Sequence, residues 1–257
     1  MELIFKGDKL NINLIDEGQG EVIVLLHGWG ARADLYRTVI NPLSSHYRVI
    51  APDLPGFGKS TEPSFPYSIE DYADFVSQLL IELGIYKVNL IGHSHGGRTV
   101  LELATGKYGF EIGKIVLLDS AGIPVKKKLS KRIKIRTYKI LKGVVTFAPV
   151  KKMFPNALDN LKKRFGSADY ASASDIMRQS MVKVLPCDYT DKLTLINNST
   201  LLIWGENDTD TPISCAKVLE NGIRDCGLVT IPKAGHFSFA EAPILTANVL
   251  KSFFNIK

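Results

Sequence analysis

Cysteine is scarce in this chain: Cys187, Cys215 and Cys226 are the only three in 257 residues. An odd number without C-x-x-C spacing excludes a disulfide framework and reads as reduced, buried thiols in a cytosolic protein. Long apolar runs are missing too. The longest near the start is Val22–Leu26, far short of the roughly 18 residues of a spanning helix. No charged segment followed by an apolar stretch opens the chain, so no signal peptide is expected. Met1-Glu2 lacks the glycine that myristoylation needs, and no cysteine stands near the C-terminus for prenylation. Neither a Walker pattern nor G-x-G-x-x-G occurs, which leaves nucleotide binding by those devices unsupported. His93-x-His95 has no cysteine or carboxylate at ligand spacing, so no metal site is expected.

What is present is ordinary for a soluble globular protein. Apolar residues make up 45% and charged residues 23%, which excludes collagen, coiled coil and a largely disordered chain. The length fits one large α/β domain, with or without an insertion. The net charge of +6 is unevenly placed. Between Pro124 and Gly166, 14 Lys and Arg face one acid, Asp159, a local excess of +13.

Pattern along the chain predicts alternating strands and helices. Glu2–Lys6 and Asn11–Asp16 alternate apolar and polar residues around Gly7-Asp8, the mark of a hairpin. Val22–Leu26, Tyr47–Ala51, Val88–Ile91, Lys114–Leu118, Thr200–Trp204 and Leu228–Ile231 are short apolar runs suited to strands covered on both faces. Helical spacing lies between them. Ser68-x-x-Asp71 is a capping-box-like start for a helix closed by Gly84. Thr211-Pro212 reads as a cap and first-turn proline. Together these imply a parallel sheet with helices on both faces. Residues 123–186 break the rhythm and are too long for a connection. They are expected to be a helical insertion, with 1–122 and 187–257 forming the core domain.

In open α/β sheets, ligands bind beyond the carboxyl ends of the strands. The residues found there are His27-Gly28-Trp29-Gly30, Pro52-Asp53, Gly92-His93-Ser94-His95-Gly96-Gly97, Asp119-Ser120, Gly205-Glu206-Asn207-Asp208, and Lys233-Ala234-Gly235-His236. Gly92-x-Ser94-x-Gly96 is a weak pattern alone, but here it sits between a buried strand and a helix. A serine on that sharp turn projects its Oγ above the sheet as a nucleophile. It needs a base, and His236, alone after the last strand, is the best placed of five histidines. The orienting carboxylate is Asp208, with Asp119 and Asp210 as alternatives. Backbone N–H groups of Trp29 and His95 are expected to form the oxyanion hole.

These stretches resemble the α/β-hydrolase fold family along nearly the whole chain. The matching segments are His27–Gly30, Pro52-Asp53-Leu54-Pro55-Gly56-Phe57-Gly58-Lys59-Ser60, Gly92–Gly97, Trp204–Asp208 with Pro212, and Gly235-His236-Phe237. The resemblance implies an eight-stranded, mostly parallel sheet, a helical cap after the sixth strand, no cofactor, and Ser94, Asp208 and His236 as the triad. Serine at position 94 argues against the epoxide- and haloalkane-cleaving members, which use aspartate. Carbon–carbon-bond hydrolases of the family often carry tryptophan after the histidine, where Phe237 stands.

The leading expectation is therefore a cytoplasmic serine hydrolase that cleaves a small ester through an acyl-enzyme. The alternatives are cleavage of a carbon–carbon or amide bond, or a ligand-binding or sensor protein with little turnover. The expected partner is a small-molecule substrate. Nucleic acid is not expected, because no recognised module accompanies the basic segment. That segment is expected to give weak association with anionic surfaces, or to be a solvated face.

Overall fold

The structure, a computed structural model, describes residues 1–125, 170 and 172–256. Of the expected insertion, most of the basic segment lies outside the described residues.

Nine strands are described: β1 Glu2–Phe5, β2 Asp8–Asn11, β3 Leu14–Glu17, β4 Val22–Leu26, β5 Arg48–Pro52, β6 Lys87–His93, β7 Glu111–Leu118, β8 Thr200–Gly205 and β9 Cys226–Ile231. Seven of them form one sheet in the order β3-β5-β4-β6-β7-β8-β9, antiparallel only between β3 and β5. The mostly parallel sheet is as expected, but among the described residues it has seven strands rather than eight. β1 and β2 pair apart as a two-stranded hairpin. Asn13 explains the division. Its N–H turns to Ser60 Oγ at 3.0 Å and its side-chain amide to Asp53 at 2.8 Å, so the ladder is interrupted between β2 and β3. The hairpin register also differs from expectation, because Phe5 faces Asp8 across Lys6-Gly7.

The helices among the described residues are α1 Arg37–Ser44, α2 Ile69–Glu82, α3 His95–Thr105, α4 Asp175–Val184, α5 Ile213–Gly222, α6 Ser238–Glu241 and α7 Pro243–Phe253. Ser68 and Asp71 form the full capping box of α2. Strand residues alternate between two cores. Val24, Leu26, Ile50, Leu90, Leu117 and Leu202 pack with α2, α3 and α5. Ile23, Leu25, Val49, Ile91, Val116 and Ile203 pack with α1 and α7. Each fully buried side chain of this kind contributes about 1.5–3 kcal/mol, which is why continuous apolar runs rather than alternating ones mark these strands.

From β4 the chain passes to β5 on one side, and β6 then returns to the other side of β4. That reversal is a switch point, and this architecture places its ligand crevice beyond the carboxyl ends of such strands, here β4 and β6. α4 packs beside it on the segment after β5. Ser180 Oγ accepts the Tyr67 N–H at 2.9 Å, and Lys183 Nζ donates to the Pro66 carbonyl at 2.6 Å.

Candidate active site

Ser94 stands on the β6–α3 turn with φ 50° and ψ −111°, a left-handed conformation that strains a non-glycine residue by roughly 1–3 kcal/mol. The glycines beside it permit the turn. A methyl group on Gly92 would come within 2.6 Å of the Gly96 carbonyl oxygen, and one on Gly96 would overlap the Leu26 carbonyl. The helix therefore starts against the end of β4, with Ser94 half-buried at its head.

His236 follows β9 and brings Nε2 to 3.0 Å from Ser94 Oγ. Its Nδ1 lies 2.8 Å from Asp208 Oδ2. Asp208 is 5% exposed and has further donors: Asp210 N–H at 2.8 Å and Thr211 N–H at 3.0 Å reach Oδ1, and the Thr211 hydroxyl reaches Oδ2 at 2.7 Å. Burial opposes ionisation of Asp208, but the bonds from His236 and Thr211 outweigh it and hold the carboxyl below its ordinary pKa. Burial likewise depresses the His236 pKa, yet the Asp208 bond and charge, with Asp210 and Asp119, leave it above the ordinary histidine value. The arrangement suits a base that receives a proton from Oγ and holds it as imidazolium.

The other two aspartates occupy different places. Asp210 is exposed; its carboxylate comes within 4.8 Å of the facing atoms of Asp208 and His236 without bonding to the imidazole. Asp119 is fully buried with φ 42°. Its oxygens accept Gly205 N–H at 2.7 Å, Ser238 N–H at 3.1 Å and the Ser238 hydroxyl at 2.5 Å. Asp119 thus ties β8 to the segment carrying His236, and burial pushes its pKa up to about 7.

Among the described residues, the Trp29 and His95 N–H groups donate to no protein acceptor. Trp29 follows the end of β4, and His95 opens the first turn of α3. The His95 ring is buried against Trp29 and Tyr72, with ring centroids 5.2 and 4.8 Å away, and neither ring nitrogen has a partner among the described residues. His27 is structural: Leu54 N–H donates to its Nε2 at 2.9 Å, so Nδ1–H donates to the Gly28 carbonyl at 2.7 Å. Asp53, in the glycine-rich stretch after β5, accepts N–H groups of Ala33 and Lys59 at 2.7 and 2.9 Å and so fixes that loop.

Thr211 corrects one expectation. It does not cap α5, whose N-cap is Pro212 with no side-chain bond; its hydroxyl serves Asp208. The Asp-x-x-Thr spacing of an Asx-type turn was the available signal.

The family model for the alpha/beta hydrolase fold matches residues 21–243. The chain belongs to the α/β-hydrolase fold family. It is 27% identical over 259 residues to a 2-hydroxy-6-oxo-6-(2'-aminophenyl)hexa-2,4-dienoic acid hydrolase of Metapseudomonas resinovorans, covering 93% of this chain and 86% of that protein. It is 29% identical over 254 residues to the 2-hydroxy-6-oxononadienedioate/2-hydroxy-6-oxononatrienedioate hydrolase of Escherichia coli (strain K12), covering 90% and 86%. A solved serine hydrolase involved in carbazole degradation, the CarC enzyme, superposes with TM-score 0.73 at 25% identity, over all of this chain and 98% of that one. Hydrolysis is the activity class that the family and these relatives support. No helix among the described residues is long and apolar enough to cross a membrane.

Proposed function

We propose that this protein hydrolyses the carbon–carbon bond beside a ketone carbonyl in a small carboxylate-bearing substrate, with Ser94 as nucleophile, His236 as base and Asp208 as its orienting acid. The observation that carries the mechanism is the continuous line of hydrogen bonds, Ser94 to His236 at 3.0 Å and His236 to Asp208 at 2.8 Å. The bond class is favoured by the relatives, whose names specify 6-oxo dienoic acids and related diacids. This reading replaces the simple ester as the leading substrate class.

Ser94 Oγ adds to the ketone carbon while its proton passes to His236 Nε2. The oxyanion accepts the Trp29 and His95 N–H groups. The carbon–carbon bond then breaks, its electron pair is taken up by the conjugated fragment, and the imidazolium returns the proton to that fragment. Water, deprotonated by His236, attacks the resulting acyl-serine and releases the acid and free Ser94. Asp208 keeps the Nδ1–H tautomer in place throughout. The segment 123–186, including α4, serves as the cap over the crevice, and residues 1–122 and 187–257 as the core.

Ester cleavage is the second reading, and one residue favours it: Phe237, half exposed beside His236, stands where the carbon–carbon hydrolases often carry tryptophan. A direct comparison decides. The purified protein is assayed with a 2-hydroxy-6-oxo dienoic acid and with p-nitrophenyl esters of rising chain length. The proposal expects kcat/KM at least tenfold higher for the ketone acid, covalent labelling of Ser94 by a fluorophosphonate, and a loss of about 10⁵–10⁶ in Ser94→Ala. Turnover of esters alone would establish the second reading.

A further inference from the structure

Behind the triad runs a second line of hydrogen bonds, which catalysis as described does not use. Gly28 N–H donates to the Tyr36 hydroxyl oxygen at 3.0 Å. The Tyr36 hydroxyl lies 2.8 Å from His93 Nδ1. His93 Nε2 lies 2.8 Å from the backbone carbonyl oxygen of His236. Tyr36 and His93 are 1% and 2% exposed.

Chemistry fixes the direction of every bond. A carbonyl oxygen only accepts, so His93 Nε2 carries a proton and donates it to His236. Burial, with the nearby His236 ring, lowers the His93 pKa to about 3, so the ring is neutral and Nδ1 is bare. The Tyr36 hydroxyl must therefore donate to Nδ1, leaving its oxygen to accept the Gly28 N–H. Each donor and acceptor in the chain is used once, with a single tautomer.

We propose that Tyr36 and His93 are positioning residues that lock the oxyanion-hole loop and the base-bearing loop to each other around Ser94. The proposal rests on the hydrolase reading above. Three strand ends meet in the relay: Gly28 after β4, His93 immediately before Ser94 on β6, and His236 after β9. The Gly28 N–H that Tyr36 holds belongs to the His27–Gly28 peptide, immediately before the peptide that carries the Trp29 N–H. Gly28 has no side chain to restrict rotation between the two peptides, and the second is held at its carbonyl by His27 Nδ1–H at 2.7 Å and Ala31 N–H at 3.2 Å. Without the Tyr36 bond the first peptide is free to shift, and the Trp29 N–H moves with it relative to the oxyanion. Fit around the relay is close: a methyl group on Gly28 would come within 2.7 Å of His93 Nδ1. The Tyr36 ring is itself held, stacked on Phe239 at 4.6 Å and 16°.

Two independent readouts test this. In wild-type protein with ¹⁵N-labelled histidine, His93 should show a protonated Nε2, a bare Nδ1 and no titration between about pH 5 and 9. The charged or titratable groups around the relay are His236, Asp208 and His27 beside His93, and Asp119 near Tyr36. The opposite tautomer, or an ordinary titration near pH 6.5, overturns the proposal without bearing on the triad. The second readout is the rate of fluorophosphonate labelling at Ser94, with kcat and KM alongside. Tyr36→Phe keeps the stacked ring and removes only the hydroxyl; His93→Asn removes the imidazole. Each should slow labelling and lower kcat by about 10–100-fold, the scale of a misplacement of about 1 Å, with KM within about threefold. The double variant should lose no more than the worse single one. Wild-type labelling rates in folded single variants, or losses that multiply in the double, overturn the relay. Absence of labelling in the wild type instead overturns the hydrolase reading, and the histidine spectrum still decides the hydrogen-bond chain.

Discussion

Thr211 holds Asp208 at both carboxylate oxygens, through its N–H at 3.0 Å and its hydroxyl at 2.7 Å. The hydroxyl also lies 3.0 Å from the Asp119 carbonyl oxygen. Thr211→Val removes the hydroxyl at nearly constant volume and leaves the N–H bond intact. Loss of one hydrogen bond to a charged group weakens the site by about 1.5–3 kcal/mol. In steady-state assays kcat should fall on the order of tenfold, and Thr211→Ser should restore most of it. Equal activity in the valine and threonine proteins would show that Asp208 needs no such support.

The base sets the acid limb of the pH profile. Burial lowers the His236 pKa, but Asp208, Asp210 and Asp119 raise it further, to a net position above 6.5. His236 must be neutral to act, so kcat/KM should climb as pH rises through a midpoint above 6.5. Asp208→Asn removes the dominant raising group. Its midpoint should move to lower pH, and its plateau should fall by about 10⁴ as the imidazole loses its enforced tautomer. An unmoved midpoint in that variant would separate Asp208 from the titrating group.

Asp119 makes a different pH signature. Its folded pKa of about 7 lies above the ordinary carboxyl value of 3.8. The folded state therefore binds the extra proton between those values. The associated stability is full below about pH 4 and is lost as pH rises through about 7. Asp119→Asn abolishes that titration and sets an amide NH2 against a backbone donor, Gly205 N–H or Ser238 N–H, a loss of about 1–3 kcal/mol. Thermal melts should show the variant clearly less stable than wild type at pH 5, with a narrower gap at pH 8. Parallel curves across that range would exclude Asp119 as the source of the slope.

The basic segment from Pro124 to Gly166 can be tested through ionic strength. Its +13 excess is large enough to attract an anionic substrate over a screening length of roughly 10 Å at 0.1 M salt. For a carboxylate-bearing substrate, kcat/KM should drop steeply between low salt and about 0.5 M, while a neutral ester of equal length changes little. Lys126, Lys127 and Lys128 replaced together by Gln should reproduce part of the drop. Identical responses of the two substrates would leave the cluster as a solvated face.

How far the sequence could be read depended on how local the deciding physics is. The six apolar strands from β4 to β9 were legible because burial on both faces leaves an unbroken run, as at Val22–Leu26. Ser68 and Asp71 announced α2 because a capping box is complete within four residues. Ser94 was legible because its strain is met by glycines two positions away. The sheet's strand count was not: the interruption at Asn13 depends on Ser60 and Asp53, 47 and 40 residues distant. Thr-Pro before a helix looks alike whether the hydroxyl caps the helix or reaches a carboxylate, so Thr211 was misplaced. Tyr36 gave no signal at all, because a buried aromatic at helical spacing is ordinary core until its hydroxyl is seen between Gly28 and His93.

All the strand ends that bear chemistry lie on one edge of the sheet, and this divides the molecule into two poles with different tolerance for alteration. α3 runs from His95, just after Ser94, to Thr105, about 16 Å at 1.5 Å per residue, and ends at the opposite pole. The turn that follows, Gly106 to Phe110, leads into β7 beside the start of β6. Lys107 and Gly109 there are exposed, and a side chain on Gly109 would meet no atom within 4 Å, although its φ of +70° favours glycine. An affinity peptide or a fluorophore grafted between Lys107 and Gly109 should leave the triad, the relay and the crevice untouched. The protein can therefore be immobilised or labelled at one pole while its chemistry is followed at the other.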